Sequence, residues 1–210
     1  NNLLTSIMGN ISLAQTYLEH DDKIYGLLNE AQRASILAKA LTRKLITFSR
    51  GGAPIKKTVT ISPLVKRATE FSLSGSNIRC EFHISNKLSL VEIDETQIGQ
   101  AIYNLVMNAR EAMRDGGTIR VAAENANITD GIPTLKEGKY VKISFNDEGM
   151  GIPERHLKKI FDPYFSTKEM GTQKGMGLGL SICHSIIKGH GGEVGVESQE
   201  GIGTTFNIYL

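Results

Sequence analysis

The chain has 210 residues, 40% hydrophobic and 22% charged, enough for one large or two modest domains with a real core. A formal net charge of +2, with basic residues scattered, is too small to argue for nucleic acid or an anionic membrane, and no nucleic-acid partner is expected. No apolar run approaches the roughly 18 residues of a membrane helix, no signal peptide opens the chain, and the cysteine usage suits reduced core thiols of a cytoplasmic protein.

Leu4, Ile7, Ile11, Ala14 and Leu18 recur at three-four spacing and predict a first helix. Beyond an Asp21-Asp22 turn, Ile24, Leu27, Ala31, Ala34, Ala38, Leu41, Leu45 and Phe48 fill the a and d positions of a second. Leu28, Leu37 and Ile46 widen that stripe enough to meet more than one neighbour. Two helices cannot bury such stripes alone. A four-helix bundle built from two copies can, so a homodimer through residues 1–50 is expected; the alternative is a hairpin docked on the second domain. Ser49 through Pro54 ends the helix, because glycines leave it and proline prevents its return. The second domain is expected over 55–210.

Val59-Thr60-Ile61 predicts a short strand, and Ser62-Pro63 a helix through about Ser72, with Ser62 as its cap. Arg79 to Ile84 and Leu88 to Ile93 alternate as strands. Asp94 can cap the next helix, Gln97 closing a capping box, with Ile98, Ala101, Ile102, Leu105 and Ala109 as its buried stripe. Thr118 to Glu124 and Tyr140 to Asn146 predict a hairpin with a long connection. A helix over 177–189 and strands near Glu193–Glu197 and Thr204–Tyr209 complete the domain. The fold class expected is α+β: an antiparallel helical hairpin, then an α/β sandwich whose mixed, mostly antiparallel sheet carries helices on one face.

Four boxes carry the chemistry. Asp147-Glu148-Gly149-Met150-Gly151 puts a carboxylate at a strand end among residues small enough to admit a flat base. Phe161-Asp162-Pro163-Tyr164-Phe165 follows, then Gly175-Met176-Gly177-Leu178-Gly179-Leu180, whose backbone N–H groups suit phosphate oxygens. Upstream, Asn104 and Asn108 stand four apart on one helix face, and a neutral amide oxygen can ligate Mg²⁺. Together they suggest a nucleotide pocket with a mobile cover. His20, His83, His156, His184 and His190 have neither triad nor zinc spacing and read as surface or core residues.

In this order the boxes resemble the catalytic and ATP-binding domain of sensor histidine kinases, in the wider group with gyrase, the HSP90 chaperones and MutL. The resemblance covers residues 94–210. It implies that Asp147 accepts from the adenine amino group, with Gly149, Gly151 and Ile152 shaping the base pocket and Thr205 on the strand beneath. Asn108 is implied as the Mg²⁺ ligand, supported by Asn104, while Arg110 or Lys168 balances phosphate charge and Glu111 belongs to the same nucleotide-binding box. Gly175, Met176, Gly177, Leu178, Gly179 and Leu180 are implied as the phosphate cradle, and residues 153–176 as a lid held by Phe161 and Phe165. Asn-Ala-Arg-Glu-Ala-Met departs from the commoner Lys-Tyr pattern after the second asparagine. Asn104 stands where gyrase-like ATPases carry a water-activating glutamate, which favours a kinase over an ATPase.

Asn1-Asn2-Leu3-Leu4 resembles the sequence that follows the phosphoacceptor histidine in one subgroup. That histidine would lie three residues before Asn1, outside this chain, and Asn2 would orient the water of a phosphatase step. The expected cofactors are ATP and Mg²⁺. The expected partners are a second copy, a response-regulator receiver domain and an upstream sensor domain, with any membrane anchor in segments outside this chain. A gyrase-type ATPase and a non-catalytic nucleotide-binding dimerisation module are the alternatives.

Overall fold

The computed structural model describes residues 2–18, 23–32, 35, 53–129, 135–166 and 177–210. The chain divides into two compact units, Asn1–Gly52 and Ala53–Leu210. In the first, helix α1 spans Asn2–Gln15, and a second helical stretch, α2, covers 23–32. Gln32 Nε2 donates to Ser12 Oγ at 3.1 Å, which ties the two helices. On α2, Tyr25, Leu28 and Gln32 are half-buried, whereas Ile24, Leu27 and Ala31 are exposed. Over 23–32 the predicted a and d stripe is therefore the outer face, and the widening position Leu28 is the inner one. The stripe from Ala34 to Phe48, the Asp21-Asp22 turn and His20 lie outside the described residues.

The second unit runs β1 (Lys57–Val59), α3 (Ser62–Leu73), β2 (Ile78–Ile84), β3 (Val91–Ile93), α4 (Glu95–Ala112), β4 (Gly117–Ile128), β5 (Gly138–Asp147), α5 (Glu154–Leu157), α6 (Gly179–Gly189), β6 (Glu193–Gln199) and β7 (Gly203–Tyr209). Five strands form one sheet in the order β2-β4-β5-β7-β6, with β2 parallel to β4 and every other pairing antiparallel. β1 and β3 make a separate antiparallel pair. The α+β expectation holds: a helical segment, then a mixed, mostly antiparallel sheet with helices on one face. No helix among the described residues is long and apolar enough to cross a membrane.

The core lies between that sheet and α3, α4 and α6. Ile98, Ala101, Ile102, Leu105, Val106 and Ala109 of α4 are all buried, at the 3.6-residue period of one helix face. They pack with Ile119 and Val121 of β4, Ile143 and Phe145 of β5, and Phe206 and Ile208 of β7. Each of the larger side chains, the two alanines apart, contributes about 2 kcal/mol of burial. Asp94 caps α4 through Thr96 N and Gln97 N at 3.0 and 3.1 Å. The reciprocal half of the box differs from the expectation: the Asp94 N–H donates to His190 Nε2 at 2.9 Å.

Element boundaries upstream of α4 move. The first strand is Lys57–Val59, so Thr60 and Ile61 leave it. Ile61, fully buried, is the N-cap of α3 and makes no side-chain cap bond, while Ser62 is already helical. Leu88 to Leu90 stay out of β3, because Asn125 occupies their backbone: its Oδ1 accepts from Ser89 N at 2.8 Å and its Nδ2 donates to Lys87 O at 2.7 Å.

Candidate functional site

Period-two alternation in β5 turns Val141, Ile143, Phe145 and Asp147 to the core face. A carboxylate thus ends a row of apolar side chains, and Asp147 is only 4% exposed. Burial raises its pKa above the ordinary carboxylate range, opposed by the N–H groups of Gly149 and Thr204. Gly149 N donates to Asp147 Oδ1 at 2.9 Å. The next residue, Glu148, points outward and pairs with Arg120 at 2.7 Å.

The loop after Asp147 is stitched to two other elements. Met150 N donates to Ala112 O at the end of α4, and Gly201 N donates to Met150 O at 2.8 Å. Ile152 N donates to Ser198 Oγ at 2.8 Å. The glycines serve this packing. A Cβ on Gly149 would lie 2.6 Å from the Ala112 Cβ, and one on Gly151 would lie 2.1 Å from Gln199 O. Gly151 also has φ +69°, a region L side chains rarely adopt.

Asn104 and Asn108 lie on α4, half-buried, and the Nδ2 atom of each is sealed from solvent with no hydrogen-bond partner. Orphaned buried donors are costly, about 1–3 kcal/mol each, and call for an acceptor that arrives from elsewhere. The start of α6 sits beside Asn104: a Cβ on Gly179 would be 3.9 Å from Asn104 Oδ1. From Asn104 to Ala112 the helix rises about 12 Å, with the α6 end at one extreme and the Asp147 loop at the other. Arg110 and Glu111, half-buried, fall on the same last turns of α4.

Of the glycine box, Gly177 to Leu180 are described; Lys168, Gly175 and Met176 lie outside the described residues. α6 begins at Gly179 rather than 177, with Leu178 as an N-cap lacking any side-chain bond. Its first N–H groups have no intrahelical acceptor, as at any helix start. The side chain of Leu178 is buried. Tyr164 N donates to Gly177 O at 3.0 Å, and Tyr164 itself has φ +67°. Phe161 packs its ring on His184 and Phe206, and Phe165 on His156. The phenylalanine box thus touches both the sheet and the glycine box.

Thr205 requires a correction. β5–β7 register pairs Asp147 with Thr204 and Asn146 with Thr205. Thr205 Oγ1 accepts from Asn146 Nδ2 at 2.8 Å on the opposite face of the sheet, so Thr204, buried, is the threonine beside Asp147. The sequence held the signal: Thr204, Phe206 and Ile208 alternate, and two large apolar residues set which parity faces inward. Ser198 joins the site without a sequence signal of its own. Its contacts reach Ile152 and Thr204 across a hairpin, which spacing alone does not disclose. Asn2 opens α1; its side chain lies outside the described residues.

The family described as histidine kinase-, DNA gyrase B-, and HSP90-like ATPase matches residues 93–210. The sensor kinase CckA of Brucella abortus (strain 2308) is 36% identical over the whole of this chain, which spans 23% of that protein. Sporulation kinase C of Bacillus subtilis (strain 168) is 31% identical over all of the chain and 46% of its own length. The chain thus spans less than half the length of these curated relatives. Among solved structures, histidine kinase ThkA in complex with response regulator protein TrrA superposes with a TM-score of 0.64 and 25% identity, over 99% of this chain and 57% of that one. Residues 93–210 place this chain in the histidine kinase-, DNA gyrase B- and HSP90-like ATPase family, as a catalytic domain closely related to those of sensor histidine kinases.

Proposed function

We propose that this chain is the kinase core of a sensor histidine protein kinase, with residues 1–50 as the dimerisation and phosphotransfer hairpin and 55–210 as the ATP-binding domain. The observation that carries the reading is the pair of buried, unpartnered amide donors of Asn104 and Asn108 on one face of α4, Asn104 lying beside the start of α6. An incoming triphosphate satisfies both. Asn108 Oδ1 would hold Mg²⁺, whose remaining ligands are phosphate oxygens and water. Mg²⁺ would neutralise phosphate charge during transfer.

Asp147 would accept from the adenine amino group, with Gly149, Gly151 and Ile152 shaping the base pocket. Arg110 or Lys168 would balance the charge of the phosphates, and the N–H groups of Gly175 through Leu180 would cradle them, those of Gly179 and Leu180 at a helix start. Residues 153–176 would cover the nucleotide. Asn104 is an amide and cannot deprotonate water, which supports transfer over hydrolysis. The γ-phosphoryl would pass in line to the histidine three residues before Asn1, by positioning and charge stabilisation. It would then pass to a response-regulator aspartate, a partner class that the ThkA complex supports.

The test uses protein extended upstream through that histidine and incubated with γ-labelled ATP. Acid-labile label on the protein is expected. Free phosphate alone would mean an ATPase, and neither product a binding module. Asn108→Ala should weaken Mg-dependent ATP binding at least about tenfold. Decay of labelled regulator with and without Asn2→Ala reads the phosphatase role of Asn2 separately.

Ile7, Leu13 and Leu27 are 47%, 55% and 59% exposed in the single chain, which supports a second copy as their cover. Leu27→Asp should leave the monomer folded, because the position faces outward, and weaken the dimer by several kcal/mol. Sedimentation of this variant as an unchanged dimer would reject the bundle.

A further inference from the structure

We propose that Ser198 determines base specificity by locking the Thr204 hydroxyl as an acceptor, an inference that rests on the adenine reading above. Ser198 Oγ has three neighbours at hydrogen-bond distance. Ile152 N lies at 2.8 Å, Gly203 O at 2.9 Å and Thr204 Oγ1 at 2.9 Å.

A serine hydroxyl has one hydrogen and two lone pairs, so only one assignment satisfies all three partners. The Ile152 N–H can only donate, and takes one lone pair. The Gly203 carbonyl can only accept, and takes the hydrogen. Thr204 must then donate its own hydroxyl hydrogen into the second lone pair. What Thr204 can offer any further partner is its oxygen lone pairs. The strand register places it opposite Asp147, and both side chains of this cross-strand pair are buried on the same face of the sheet. Two acceptors, carboxylate and hydroxyl oxygen, therefore stand side by side at the end of β5. A purine with an amino group in that position supplies hydrogens to this pair. A purine with a carbonyl there sets a third acceptor against two. Ser198 touches no base itself, so it is a positioning residue, acting through Thr204 and through the backbone of Ile152.

ATP and ITP differ at this group, and their affinities for the full chain test the idea. The unmodified protein should prefer ATP. Ser198→Ala releases the Thr204 hydrogen, which can turn to a carbonyl oxygen, and should narrow the ATP-over-ITP ratio about tenfold, mostly by improved ITP binding. Ser198→Thr keeps a hydroxyl and should keep the ratio. Thr204→Val should narrow the ratio from the other side, by weaker ATP binding, and gives a reading even where Ser198→Ala folds poorly. A Ser198→Ala protein whose two affinities fall together, with the ratio unchanged, overturns the proposal and leaves Ser198 a structural residue. Equal binding of ATP and ITP by the unmodified chain also overturns it. Binding of neither nucleotide removes the adenine reading itself, and this inference with it.

Discussion

Replacing Asp147 with Asn should lower ATP affinity by about 3 kcal/mol, more than a hundredfold, because the change removes a charged acceptor and can set an amide donor against the adenine amine. The pH dependence has two opposed parts. Burial raises the Asp147 pKa, against the N–H groups of Gly149 and Thr204, so the folded protein holds this proton more tightly than the unfolded chain does. The contribution to stability is therefore full below the ordinary carboxylate range and lost as pH rises through the raised pKa. Binding runs the other way, since only the ionised carboxylate is a pure acceptor, and ATP affinity should rise across the same window. Asp147→Asn should flatten both profiles. Calorimetric titration with ATP at several pH values checks the claim, and unchanged affinity in the variant would show that Asp147 is not at the base.

Gly151→Ala should cost at least about 3 kcal/mol of stability, combining left-handed backbone strain with a steric conflict. The added Cβ would stand 2.1 Å from Gln199 O and 2.9 Å from the Glu200 Cα, all backbone of the β6–β7 hairpin. Nothing there is a flexible side chain that can swing aside. Gly201 is the control: it also has positive φ, +79°, but nothing lies within 4 Å of its added Cβ. Gly201→Ala should cost only about 1 kcal/mol, the strain alone. Urea midpoints separate the two. Equal losses would mean that the Asp147 loop is not clamped between α4 and the hairpin, and the packing account of the Asp-x-Gly-x-Gly glycines would fail.

Features set by residues close in sequence were legible from the chain alone. Asp94 caps α4, the apolar stripe of α4 is buried as spaced, and Asp147 ends its strand on the inward face, because each depends on helix or strand periodicity over a few residues. The four boxes and their order likewise identified the catalytic domain. Tertiary structure decided what depends on contacts between distant residues. Asn125 keeps Leu88–Leu90 out of β3 from 36 residues away, and His190 takes the Asp94 N–H from 96 residues away. Ile61 starts α3 in place of Ser62 because its side chain is fully buried, and core burial outweighs a local cap. β5–β7 register chose Thr204 over Thr205, a one-residue step that reverses which face a strand side chain meets. Ser198 gains its role only when β6, β7 and the Asp147 loop converge on one hydroxyl, and no pattern within any one of those segments encodes the other two.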